Sequence, residues 1–160
     1  MDQRAEELVR TLQLAPHPEG GFYRELHRSP LRVHTNDGRE RAALTTIYFL
    51  LPGGEVSRWH RVSSDEVWHH LEGAPLELFI TEPDMHHVHL HTLGPLQQGV
   101  APEVVVPPHH WQAARSTGAY TLVACVVGPG FDFADFSMLR DLLAESALLR
   151  SKQPAHTFLL

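Results

Sequence analysis

The sequence predicts a mostly β fold, a sandwich or barrel with a short helix at each end. Two observations carry this. Short runs of β-branched, aromatic and alternating residues recur with turn signals between them from Gly54 onward, and helical spacing is confined to the two ends of the chain. At 160 residues and 18.0 kDa, with 42% hydrophobic residues, one domain spanning 1–160 is expected.

In chain order, Asp2–Leu12 places Leu8, Val9 and Leu12 on one helical face, and Pro16 ends that pattern. The segment PHPEGGFYRELHRS at 16–29 has turn chemistry at Pro18–Gly21 and then alternation from Phe22 to His27, a loop entering a strand. After a polar turn at Asn36–Gly38, Ala43–Leu51 reads as a buried strand closed by PGG. Strands are then expected at Val56–Val62, Glu66–Leu71, Leu76–Thr81, His87–Leu93, Glu103–Val106, Gln112–Ala114 and Tyr120–Val127, with a helix over Phe136–Leu149. Asp135, just before Phe136, reads as that helix's cap, and Phe131, Phe133 and Phe136 read as core or dimer contacts.

Charge and composition exclude several functions. A formal charge of −6 with 13 scattered basic residues argues against a nucleic-acid surface. No apolar run reaches the ~20 residues that span a bilayer, and the N-terminus lacks a leader's apolar centre, so a cytoplasmic protein is expected. The single Cys125 lies in TLVACVV and reads as a buried, inert thiol. No Gly-rich phosphate loop and no glycine-framed nucleophile appear.

The stretch GGEVSRWHRVSSDEVWHHLEG, residues 53–73, carries the chemistry. Its Gly54, His60, Val62, Glu66 and Gly73 fit a spaced glycine–histidine–glutamate–glycine frame, and Pro107, His109, Gln112 and Ser116 fall in a second frame further on. With PHPEGGFYRE, WHRVSSDEVWHHLEGAPLEL and GFDFADFSML in that order, the chain resembles the cupin superfamily over roughly residues 12–140, and within it the DUF985 (cupin_5) family. The resemblance implies a double-stranded β-helix, or jelly roll, and a homodimer. PPHHW departs from it by placing His109 where a glycine is expected.

Metal-binding members of the superfamily hold an ion with three histidines and the glutamate. Here Val62 stands at the second histidine and Gln112 at the third, so no metal and no other cofactor is expected; if an ion is held, its set is His60, Glu66, His70 and Gln112. On alternating strands His60 shares a face with Val62, and Glu66 with Trp68 and His70. His60 and Glu66 are expected to form a hydrogen-bonded pair that raises the imidazole's pKa and makes it a general base. Arg58 and Arg61 flank His60 and are expected to point away. Tyr48, Trp68, His70, Trp111 and Gln112 are candidate ligand-binding walls, with Glu19 and Tyr23 as a pocket-closing segment whose glycines allow a tight turn. His87, His89 and His91 share a strand face about 6.5–7 Å apart, too far for three to reach one ion, and read as an exposed outer face opposite an inward Val88 and Leu90.

The chain is also similar in outline to the sugar epimerases of the dTDP-rhamnose pathway, where a barrel histidine is the base. Three functions follow as expectations. The first is a metal-independent isomerase or epimerase of a small polar or sugar-like substrate, the second a non-catalytic small-molecule binder, the third a metal-dependent oxygenase.

Overall fold

The computed structural model describes residues 1–160. Helix α1 (Gln3–Thr11) is capped by the Asp2 carboxylate, which accepts from the Arg4 and Ala5 amides. Thirteen strands follow: β1 (Ala15–Pro16), β2 (Phe22–Arg28), β3 (Arg32–His34), β4 (Glu40–Ala42), β5 (Thr45–Pro52), β6 (Val56–Arg61), β7 (Asp65–Gly73), β8 (Leu76–Thr81), β9 (Val88–Leu93), β10 (Glu103–Val106), β11 (Trp111–Ser116), β12 (Tyr120–Gly128) and β13 (Ser137–Met138). Helix α2 (Leu143–Lys152) and a 3-10 helix at Pro154–Leu159 close the chain.

Two antiparallel sheets face each other, ordered β1-β2-β5-β12-β7-β10 and β13-β6-β11-β8-β9, and β3–β4 forms a separate hairpin. This is a jelly roll. Its inner core joins Phe49, Leu51 and Trp68 from the first sheet to Leu78, Ile80 and Ala114 from the second.

The outer faces are covered as well. Ala5 and Leu8 of α1 pack on Leu50 and Leu122, and the C-terminal helices bury Trp59, Phe79 and Trp111 with Leu149 and Leu159. Central strands are therefore apolar on both faces, so alternation alone does not tell inside from outside.

The tail differs from expectation. The chain adds β13 and a 3-10 turn at Leu139–Asp141 before helix α2 begins at Leu143. Asp135 caps no helix. It pairs with Arg41 at 2.8 Å and with Arg39, while Asp132 caps the short 3-10 helix Phe133–Asp135 by accepting from the Ala134 amide at 2.8 Å. Two arginines on the β3–β4 side thereby anchor this segment to the barrel. The faces of β9 are the reverse of those expected: Leu90 pairs with Phe79, and Val88 packs with it on the C-terminal cluster outside the sheet, while His89 and His91 pair with Ile80 and Leu78 on the inner face and stay exposed because β9 is an edge strand. His109 does take the left-handed conformation, at φ 64°, on an exposed turn. No helix is long and apolar enough to cross a membrane.

Candidate active site

One end of the barrel holds a cavity of about 470 Å³. Its polar end is formed by His17, Glu19, His60 and Glu66, all with buried side chains. Tyr23, Phe49 and Trp68 line the walls, and Phe131, Phe133 and Phe136 stand across the mouth in edge-to-face contact with one another. These phenylalanines are thus cavity walls.

His60 reaches the cavity because β6 carries one extra residue. Gln112 and Ala114 of β11, two apart, pair with His60 and Ser57, three apart, so the bulge turns Ser57 and His60 to the same interior and Trp59 to the C-terminal cluster. Val62 also lines the cavity. The Pro18–Gly21 turn delivers Glu19. Gly20 sits at φ +112°, and a Cβ there would lie 2.3 Å from the Val56 carbonyl oxygen; the Arg58 amide donates to the Glu19 carbonyl at 2.8 Å. The glycines let this turn lie flat on β6, which buries the carboxyl of Glu19 beside Ser57.

The expected His60–Glu66 hydrogen bond is replaced by a His60–Glu19 contact. His60 Nε2 lies 3.1 Å from Glu19 Oε2, and the Ser57 hydroxyl donates to Glu19 Oε1 at 2.7 Å. His60 Nδ1 is 2.7 Å from the Arg58 carbonyl oxygen. Because a carbonyl only accepts, Nδ1 carries the proton, and Nε2 of a neutral ring is an acceptor facing Glu19. One proton then lies between Glu19 and His60. Burial pushes the Glu19 carboxyl up to about 8 and holds His60 below the ordinary imidazole range, outweighing the upward pull of Glu66. The resting pair is a neutral acid on a neutral imidazole, the reverse of the expected raised histidine.

His17 is the residue the sequence reading missed. Its Nδ1 accepts from the Glu19 amide at 3.3 Å and lies 3.3 Å from Glu19 Oε2, and burial, then the neighbouring His60, pushes its pKa down to about 3. Tyr23, Phe49 and Phe136 hold its ring edge-on. The signal available was HPE, a histidine and a carboxylate two residues apart entering a strand.

Glu66 is oriented differently. Trp68 Nε1 donates to Gln112 Oε1 at 2.8 Å, and Gln112 Nε2 donates to Glu66 Oε2 at 2.6 Å. An indole nitrogen is only a donor, which fixes the amide's direction and commits both its ends. Burial raises the Glu66 carboxyl, and burial with the nearby Glu66 raises the Cys125 thiol, which lies beside Glu66 at the cavity wall.

Several expected walls lie elsewhere. Gln112 is fully buried behind Glu66 and orients it without lining the cavity. Tyr48 points to the α1 side of β5, since Thr45, Ile47 and Phe49 take the inner face. Trp111 packs in the C-terminal cluster with the Arg61 guanidinium 4.4 Å above its ring. His70 lies outside the cavity lining, its Nε2 buried without a hydrogen-bond partner. Arg58 and Arg61 do point away from the cavity.

The donor set does not fit a metal. Val62 offers no donor, Gln112 is committed at both ends, His70 is elsewhere, and no three His, Cys, Asp or Glu side chains are arranged to hold one ion.

Known proteins share this architecture. A hypothetical protein from Leishmania major superposes with a TM-score of 0.83 at 33% identity, covering 96% of this chain and 94% of that one. A protein of Shewanella oneidensis gives 0.82 at 31% identity, with 96% and 92% covered. An uncharacterized protein of Saccharomyces cerevisiae is 26% identical over 151 residues, 84% of this chain and 75% of its own length. The family described as cupin superfamily (DUF985) matches residues 6–139, so the chain belongs to the DUF985 family of cupins.

Proposed function

We propose that this cupin binds a small polar molecule and moves a proton at a carbon next to a carbonyl, as an isomerase or epimerase does, without a metal step. The observation that carries this reading is the 3.1 Å contact between Glu19 Oε2 and His60 Nε2, a geometry for one shared proton, in the same cavity as a second buried carboxyl. Isomerisation needs one group to take a proton from carbon and another to supply one, and two buried carboxyls, both raised by burial, serve both needs.

In this scheme Glu66, oriented by Gln112, takes the C–H proton as a carboxylate, and the electron pair moves into the adjacent carbonyl to give an enediol or enolate. Glu19 gives its proton to that intermediate, and His60 Nε2 accepts a hydrogen bond from Glu19 before transfer. The two carboxyls exchange protonation states, and solvent resets them. His60 thus acts on Glu19, and the base is Glu66.

Incubation in D2O with small aldoses, ketoses and 2-oxo acids tests this by proton NMR. Wild-type protein is expected to exchange the hydrogen next to the carbonyl of at least one compound, with Glu66→Gln and Glu19→Gln each slowing exchange about 100-fold or more. Binding in the cavity with no exchange by wild type contradicts the proposal and leaves a ligand-binding module. We also propose that two copies pair, supported by exposed Leu71, Leu90 and Val105 on and beside edge strands β9 and β10; a monomer mass by light scattering contradicts that.

A further inference from the structure

The two imidazoles beside Glu19 carry their protons on opposite nitrogens. His60 keeps its proton on Nδ1, where the Arg58 carbonyl accepts it at 2.7 Å. His17 is the reverse. Its Nδ1 accepts the Glu19 backbone N–H at 3.3 Å, so the proton of the neutral ring is on Nε2. Burial, then the neighbouring His60, pushes the His17 pKa down to about 3, so the ring stays neutral and keeps that N–H at pH 7.

Other donors at the polar end are engaged within the protein. The Ser57 hydroxyl donates to Glu19, the Gln112 amide to Glu66 and the Trp68 indole to Gln112. No protein acceptor meets His17 Nε2. The side chain is 7% exposed, yet Nε2 is not one of the polar atoms sealed in without a partner, so open volume reaches it. The ring itself lines the cavity, between Tyr23, Phe49 and Phe136.

Resting on the reading of this cavity as a proton-transfer site, we propose that His17 Nε2–H donates a hydrogen bond to the carbonyl oxygen of the substrate and stabilises the oxyanion that forms there. Glu66 takes the C–H proton, the electron pair shifts to the oxygen, and Glu19 returns a proton to the intermediate. His17 keeps its own proton throughout. A neutral imidazole suits that task, because its N–H is too weak an acid to be given up to the oxygen, whereas an imidazolium would surrender its proton.

Long-range proton–nitrogen NMR reads the His17 tautomer without a substrate, and acetohydroxamate, a planar mimic of an enediol, is the probe. Wild type at pH 7 is expected to show a neutral His17 with its proton on Nε2, and the bound probe to shift that N–H signal downfield. His17→Phe keeps a flat ring and removes the donor, and should weaken the probe about tenfold. It should also slow exchange in D2O about 100-fold with KM within about threefold, and His17→Gln, whose amide can still donate, should recover part of both effects. A His17 proton on Nδ1, a probe that binds without moving the N–H signal, or exchange at the wild-type rate by His17→Phe overturns the inference and leaves Glu19 and Glu66 as proposed. If wild type exchanges no compound, the isomerase reading fails, and the N–H signal with the probe still decides whether His17 donates in this cavity. Failure of wild type to bind the probe contradicts both.

Discussion

Glu19 and Glu66 are buried in one cavity but reach it by different routes, and the routes give them different chemistry. Glu66 sits on the central strand β7, where ladder pairing to β10 and β12 fixes its direction and a Trp68–Gln112 relay fixes its carboxyl. Glu19 arrives on a turn, and its carboxyl oxygens meet Ser57, His60 and His17. Burial raises both carboxyls; a neutral amide donor opposes that rise at the strand residue, while the turn residue is buried against two imidazoles and keeps its proton. One cavity thereby holds two buried carboxyls in different settings.

The turn is the fragile region, so the largest effect is expected there. Gly20→Ala places a Cβ against the Val56 carbonyl at an unfavourable φ and should cost roughly 3–4 kcal/mol by urea unfolding. A cost below about 1 kcal/mol would mean that the turn detaches easily, and that Glu19 is not held as described.

Gln112→Leu breaks the strand side. It leaves the Trp68 indole and Glu66 without partners, and a loss of about 2–3 kcal/mol is expected. Gln112→Glu should be tolerated better at low pH, where a protonated carboxyl can still donate to Glu66.

The two regions also predict a pH signature. Glu19 is raised from 4.5 to about 8 in the folded protein, so its contribution to stability is full below about pH 4.5 and is lost as pH rises through about 8. His17 is depressed from 6.5 to about 3, so its contribution is present above about pH 6.5 and is lost as pH falls toward 3. Above about pH 6.5 the slope comes from the raised carboxyls, Glu19 and Glu66. Unfolding free energy should fall between about pH 6.5 and 8 in wild type and fall less steeply in Glu19→Gln.

The smallest effect belongs to the surface histidines. His89 is exposed, 3.5 Å from Glu82, so His89→Ala should change stability by no more than about 0.5 kcal/mol.

The same contrast explains what could be read before the structure. Glu66, Trp68 and His60 lie on strands, where spacing carries direction, and each has its buried place. Tyr48 and Trp111 also lie on strands, but helices cover the outer faces of both sheets, so an aromatic residue has a buried place on either side. The β6 bulge shifts parity by one residue, which is why Ser57 joins His60 without any sign in the alternation. His17 lies before a turn, where no periodicity gives direction, so its two-residue spacing from Glu19 was the one available sign, and Glu19 itself could be nominated only as a carboxylate near two glycines.

The central claim is one proton shared between Glu19 and His60, with Nδ1 of the ring protonated. Long-range proton–nitrogen NMR of the imidazole rings tests it most directly. The structure predicts that His60 at pH 7 is neutral, with its proton on Nδ1 and a bare Nε2. A doubly protonated His60 at pH 7, or a neutral ring with its proton on Nε2, would contradict it.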